Sequence, residues 1–185
     1  TVMYTISNLT DTVKGWGIAN DTFTVLGALE RYGAPNWFNL GDMDFATHIQ
    51  RTHLLKNSLT LSQVTRDLCQ SLDVEHLIAP MSDQPVRTIA ITDEGPMPFQ
   101  NYFVQRMCEP KLQSVRFDGA DSAIPSPDFQ RALETATALI YCPSNPIVSI
   151  DPILAVKGVR ASIESFRGPR VAVSPIIGGQ ALRGP

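Results

Sequence analysis

The stretch from residue 138 to residue 175 limits the fold more than any other part of this chain. Residues 138–142 form a short apolar run that stops at Pro143. Residues 152–166 read as a helix, with Pro152 in the first turn, where its missing N–H does no harm. Residues 171–173 are a second apolar run, ended by Ser174 and Pro175. Strand, loop, helix and strand make a βαβ unit, whose two strands lie side by side and parallel. The chain is therefore read as α/β, with a Rossmann-like three-layer core of parallel strands.

The remaining elements attach to that core. Phe23, Leu26 and Leu29 form a short amphipathic segment among glycines. Asp42 stands where a helix N-cap would, and the spacing after it predicts a helix over 42–56. Thr60 and Gln63 form a T-x-x-Q capping box, followed by Leu61, Val64, Leu68 and Leu72 on one face. That predicts a helix over 61–72 and, with the first, a helical hairpin. Residues 86–92 alternate apolar and polar, meet a turn at Asp93-Glu94-Gly95-Pro96, and continue into 98–104. Two such runs predict a β-hairpin, which its prolines confine to an edge or accessory position. No repeat or linker interrupts the chain, so residues 1–185 are read as one domain.

Charge and cysteine content exclude several function classes. With 15 Lys and Arg against 18 Asp and Glu, net charge is -3, and there is no basic stripe for nucleic acid. No apolar run approaches the roughly 18 residues of a membrane helix. The 3 cysteines are odd in number and lack a C-x-x-C pair, which fits reduced thiols in a cytoplasmic protein. Cys142, before a proline, reads as a packed thiol.

Four segments carry polar chemistry. The first is Cys142-Pro143-Ser144-Asn145-Pro146, continuing to Ser149 and Pro152. It follows a strand and precedes a helix, where open α/β sheets bind ligands. Ser144 and Asn145 either meet a nucleotide or cap the helix. The second, Ser174-Pro175-Ile176-Ile177-Gly178-Gly179, leaves the neighbouring strand. Paired glycines let a backbone approach a phosphate, though many such turns bind nothing. The third is Leu40-Gly41-Asp42-Met43-Asp44, followed by His48. Its two carboxylates could hold Mg²⁺ beside a diphosphate, or serve as an N-cap and a favourable dipole charge. His48 and His53 are five apart, so they are not a zinc-type i,i+4 pair and read as separate side chains. In the fourth, Met81-Ser82-Asp83-Gln84-Pro85, Asp83 is either a base or ligand or an Asx-type turn residue.

Taken together, these segments resemble the 2-phospho-L-lactate transferase (CofD-like) family. The resemblance is carried by D-T-F at 21–23, L-G-D-x-D-x-A-T-H at 40–48, R-T-x-L-L at 51–55 and S-L-T-x-S-x-V-T at 58–65. It continues in P-M-S-D-x-P-V-x-T at 80–88, F-Q-x-Y-F-V at 99–104 and C-E-P at 108–110. It closes with C-P-S-N-P-x-V-S-I-x-P-I-L at 142–154 and V-A-V-S-P-I-I-G-G-x-A-L-x-G-P at 171–185.

The resemblance implies transfer of a phospholactyl or phosphoenolpyruvyl group from a guanosine-diphospho donor. The acceptor is the ribityl hydroxyl of 7,8-didemethyl-8-hydroxy-5-deazariboflavin, GMP is released, and Mg²⁺ assists. It implies that Ser144, Asn145, Pro146, Ser174, Gly178 and Gly179 line the donor nucleotide. Asp42, Asp44 and Asp83 become catalytic candidates, and Met43, His48, Arg51 and Ser82 lie toward the substrates. Where the family reads L-G-D-R-D, this chain has Met43 in place of the Arg. The family's N-terminal Gly-rich phosphate loop, the acidic residue before Thr1, and helices after Pro185 are absent from these 185 residues. We therefore expect a fragment lacking both ends of the family fold, inactive by itself, with homodimerisation left open. The other reading on the same fold is a non-catalytic nucleotide-sugar-binding regulator of the gluconeogenesis-factor type.

Overall fold

A computed structural model describes residues 2–178, 180 and 181. They gather into two compact units, divided between Ala79 and Pro80.

The first unit is helical. Helix α1 spans Val2–Ile6, α2 Thr24–Arg31, α3 Asp42–Lys56 and α4 Leu61–Ser71. Helix α4 begins where its capping box requires. The Thr60 hydroxyl accepts the Gln63 amide at 3.2 Å, and the Thr60 amide donates to Gln63 Oε1 at 2.8 Å. Its Val64 and Cys69 are buried with Tyr4 and Val74. Full burial of Val64 is worth about 1.5–3 kcal/mol. Helices α3 and α4 touch, as the expected hairpin requires. Asp42 is not the N-cap of α3, however. Gly41 holds the cap position, and Asp42 is the first helical residue.

The second unit holds the sheets. Strands β1 (Arg87–Thr92) and β2 (Gly95–Pro98) form an antiparallel hairpin, as expected, but β2 begins at Gly95, inside the expected turn, and puts Pro96 and Pro98 on the outer strand. A third strand, β3 (Leu112–Asp118), covers the other side of β1 and makes β1 central. The run 98–104 does not extend the hairpin. Phe99, Tyr102 and Phe103 recur at helical spacing, and Asn101–Gln105 is a π-helical turn that buries Tyr102. Helix α5 spans Pro127–Thr135. The Ser126 hydroxyl caps it, accepting the Phe129 amide at 3.3 Å, while donating to the Pro80 carbonyl at 2.6 Å.

Strands β4 (Leu139–Tyr141) and β5 (Arg170–Ala172) pair in parallel, as the βαβ pattern requires. The connection between them is not one helix from Pro152. Helical structure starts earlier, with a π-helical turn at Pro146–Ile150, then α6 at Asp151–Ala155. The chain breaks at Val156, which turns away to extended backbone and is 1% exposed beside Ala123 and Val159. Gly158 takes a positive φ of 87°, which lets α7 (Val159–Ser165) restart. Strands β6 (Ile176–Ile177) and β7 (Gln180–Ala181) form a small antiparallel hairpin.

Candidate active site

The L-G-D-x-D segment opens α3, and its carboxylates do different work. Asp42 Oδ2 accepts the Thr22 hydroxyl at 2.6 Å and the Thr24 amide at 3.1 Å. Its Oδ1 accepts the Val25 amide at 3.0 Å. Thr24 and Val25 are the first residues of α2, so Asp42 caps the neighbouring helix rather than its own. The Thr22 hydroxyl bond, then the amides, hold the Asp42 carboxyl below the usual aspartate range. Asp21 returns the favour to α3. Its Oδ1 accepts the Met43 amide at 2.9 Å and its Oδ2 the Asp44 amide at 3.2 Å. A side chain at Gly41 would run into that carboxylate, which explains the glycine.

Asp44 is held differently. Its Oδ1 accepts the phenol of Tyr4 at 2.8 Å, and Oδ2 makes no hydrogen bond or ion pair among the described residues. Tyr4 is 3% exposed, and burial first, with the Asp44 bond adding to it, pushes its phenol up to about 12. His48 Nε2 lies 3.8 Å from Asp44 Oδ1, and its Nδ1 lies 3.1 Å from Arg51. A guanidinium only donates, so Nδ1 accepts and the neutral ring carries its proton on Nε2, facing Asp44. Burial, then the Arg51 charge, lowers the His48 pKa. Asp44, His48 and Arg51 thus share one face of α3, at i, i+4 and i+7. His53 instead meets Asn57 at 3.0 Å. Met43 is 44% exposed.

A cleft of about 20 Å³ lies beside Asp44, lined also by Lys14, Trp16, Phe23 and Asn39. The Lys14 ammonium sits 6.0 Å from the Trp16 ring and 5.9 Å from the Phe23 ring. Asp21, Tyr4, Lys14 and Trp16 were not singled out by sequence reasoning. The D-T-F match at 21–23 was the signal that could have found Asp21.

The other candidates lie in the second unit. Ser82 is 3% exposed. Its hydroxyl donates to Gln84 Oε1 at 2.9 Å and accepts the Gln84 amide at 3.1 Å, which closes the turn around half-buried Asp83. Gln84 Oε1 also accepts the Ile124 amide at 3.1 Å, so this loop is tied to the core. Segments 142–146 and 173–175 leave the same end of the parallel pair. Asn145 Oδ1 accepts the amides of Ile147 and Val148 at 3.0 and 3.2 Å, with Pro146 at the first helical position. Asn145 is a helix N-cap. Ser144 precedes it, half-buried. Ser174 Oγ accepts the Ile176 amide at 3.1 Å, and Gly178 has a φ of 60° in the turn between β6 and β7. Gly179 lies outside the described residues. Cys142 is exposed rather than packed, because the chain leaves the sheet there; Cys69 is the buried thiol.

One helix therefore brings Asp42, Met43, Asp44, His48 and Arg51 together. The parallel pair brings Ser144, Asn145 and Pro146 to the same sheet end as Ser174. Among the described residues, no three His, Cys, Asp or Glu side chains group as metal ligands. No described helix is long and apolar enough to cross a membrane.

The family model described as 2-phospho-L-lactate transferase CofD matches residues 1–184. A phosphoenolpyruvate transferase of Kitasatospora aureofaciens is 41% identical over 189 residues, covering 100% of this chain and 59% of that protein. A phosphoenolpyruvate transferase of Mycolicibacterium smegmatis is 38% identical over 191 residues, covering 100% of this chain and 58% of that one. The chain thus spans less than two thirds of these relatives. A solved protein of Bacillus halodurans superposes with a TM-score of 0.60 at 13% identity, over 92% of this chain and 51% of that one. A second solved structure of the same protein, described there as a UPF0052-family member, gives 0.55 at 15% identity, over 67% of this chain and 39% of that one. The two solved structures bear on the fold alone.

Proposed function

This chain belongs to the 2-phospho-L-lactate transferase CofD family, and from that premise we propose that the whole protein moves a phosphorylated three-carbon unit onto a deazaflavin in coenzyme F-420 biosynthesis. The donor is the guanosine-diphospho form, and the relatives' names favour phosphoenolpyruvate as the unit carried. The ribityl hydroxyl oxygen attacks the phosphorus that bears the three-carbon unit. One P–O bond forms, the P–O bond to GMP breaks, and the hydroxyl proton passes to a carboxylate.

The open oxygen of Asp44 carries the structural side of this reading. Of the two motif carboxylates, Asp42 has both oxygens occupied by α2 and Thr22. Asp44 has one oxygen held by Tyr4 and the other without a hydrogen bond or ion pair among the described residues. A general base needs that arrangement, fixed at one oxygen and accessible at the other. His48 stands beside Asp44 as a neutral donor, and Arg51 sets its tautomer. Asn145 and Ser174, at the shared end of the parallel strands, are assigned to the donor nucleotide with Ser144, Pro146, Gly178 and Gly179. Asp83 and Ser82 are assigned to the acceptor side, Ser82 through the turn it closes. The fold is read as a Rossmann-like core, and the protein as acting in the cytoplasm.

The described residues do not form a protein cage for Mg²⁺, since both Asp42 oxygens already accept hydrogen bonds and no ligand trio is present among the described residues. Magnesium remains part of the proposal through the diphosphate, whose oxygens with water are its usual partners.

The test is turnover by the full-length protein with the deazaflavin and each guanosine-diphospho donor, followed by GMP release and product mass. Enolpyruvyl product is expected. Nucleotide binding without turnover of either donor would instead support the regulator.

A further inference from the structure

We propose that Asp21 is a positioning residue of this site, holding the first turn of α3 so that Asp44 presents its open oxygen to substrate. The inference rests on the reading of Asp44 given above. Asp21 lies 23 residues before Asp44 and reaches α3 with both carboxylate oxygens. One takes the Met43 amide at 2.9 Å and, from its own segment, the Thr22 amide at 2.9 Å. The other takes the Asp44 amide at 3.2 Å. A carboxylate that accepts from two successive amides of a helix start fixes both the position and the rotation of that turn. The free amides and the helix dipole favour its charge.

Rotation is what matters to Asp44. Each helical residue turns by about 100°, so a slack first turn would swing its side chain away from Tyr4. The return contacts are equally specific. The Asp42 amide donates to the Thr22 carbonyl at 2.8 Å, and the Asp42 carboxylate caps α2. Gly41 completes the device, because the Asp21 carboxylate fills the space a side chain would need. The D-T and G-D-x-D segments are thus one clasp.

The experiment uses full-length protein with Asp21→Asn, Asp21→Glu and Gly41→Ala. Asp21→Asn keeps the shape but turns one acceptor into a donor facing an amide. Its kcat should fall about 10–100-fold, the scale of a displaced reacting group, while KM for the donor nucleotide holds. Asp21→Glu should not rescue it, because the longer arm cannot sit against Gly41 and meet both amides. Gly41→Ala, which keeps the carboxylate but pushes it off the α3 amides, should show the same signature and serves if Asp21→Asn folds poorly. Two readouts need no turnover. The Met43 and Asp44 amides should lose exchange protection, and the Tyr4 phenol, which the Asp44 bond helps to hold above the ordinary tyrosine range, should titrate lower than in the wild type. Unchanged kcat alongside lost protection, or unchanged protection, overturns the role. A wild-type protein that turns over neither donor overturns the functional reading instead, and the exchange and tyrosine readouts then decide the clasp alone.

Discussion

The start of α3 and the ends of β4 and β5 both carry polar residues where a ligand site is expected, yet they are built in opposite ways. At α3, each carboxylate meets a segment 17 to 40 residues away: Asp42 caps α2, Asp21 caps α3, and Tyr4 holds Asp44. At the strand ends, Asn145 and Ser174 bond to residues two or three positions further on. The first region is assembled by tertiary contact and leaves one carboxylate oxygen without a hydrogen bond among the described residues. In the second, the side chains proposed for recognition are also ones that shape their own loops. Polar residues in a motif can therefore be scaffold and chemistry in adjacent positions, and only their partners tell them apart.

The largest test of that contrast is at α3. Asp44→Asn in the full-length protein should lower kcat roughly 10²–10⁴-fold, the range for a lost general base, with little change in melting temperature. Asp42→Asn should do the reverse, destabilising the fold while the folded fraction keeps most of its turnover. If the two variants behave alike in kinetics and melts, the division of labour between them is wrong.

Met43→Arg supplies the guanidinium that the family pattern carries. It should tighten binding of the deazaflavin acceptor by about 1–3 kcal/mol through a charged, forked donor. Titration calorimetry checks this, and an unchanged dissociation constant removes the position from the site.

At the strand ends, Asn145→Ala should lose about 0.5–2 kcal/mol of stability, the cost of an N-cap. Asn145→Asp should restore the melt, since an aspartate oxygen caps equally well, yet leave GDP binding weak because a negative oxygen replaces an amide nitrogen beside a diphosphate. Should Asn145→Asp bind GDP as well as wild type, Asn145 is scaffold only.

The smallest effect is in acid. The folded-state pKa of Asp42 is depressed by Thr22 and the α2 amides. Its contribution to stability is therefore present above the unfolded aspartate value, about 3.9, and is lost as pH falls through the lower folded value. Melts taken across that acid window should show a steeper loss for wild type than for Asp42→Asn, and parallel curves would mean the caps carry no linkage.

What the sequence disclosed follows the same line. The capping box at Thr60, the helix over 42–56 and the parallel strands were legible because caps, apolar spacing and proline stops are local signals. Strand β3 and helix α5 were missed, although Ser126-Pro127 is a cap followed by a first-turn proline. The aromatic run at 99–103 was misread because its helical spacing spans barely one turn. The helix break at Val156 was hidden because only the core around Ala123 calls for it. At the site, D-x-D announced two carboxylates, but nothing local said that one would be spent on α2. Asp21 and Tyr4 matter through contacts 22 to 40 residues away, which no periodicity reports.

The exchange of caps between α2 and α3 also bears on how this region is nucleated. Helix α2 has 8 residues, well under the roughly 12–15 at which an isolated helix becomes even marginal in water. Its own N-cap, Phe23, supplies no side-chain bond to its free amides, and neither does Gly41 to those of α3. Helix α2 receives that bond from the first residue of α3, and α3 receives it from Asp21, three residues before α2 begins. The two should therefore open and close as a single cooperative unit, with the amides of Val25 and Asp44 sharing one opening free energy although they belong to different helices.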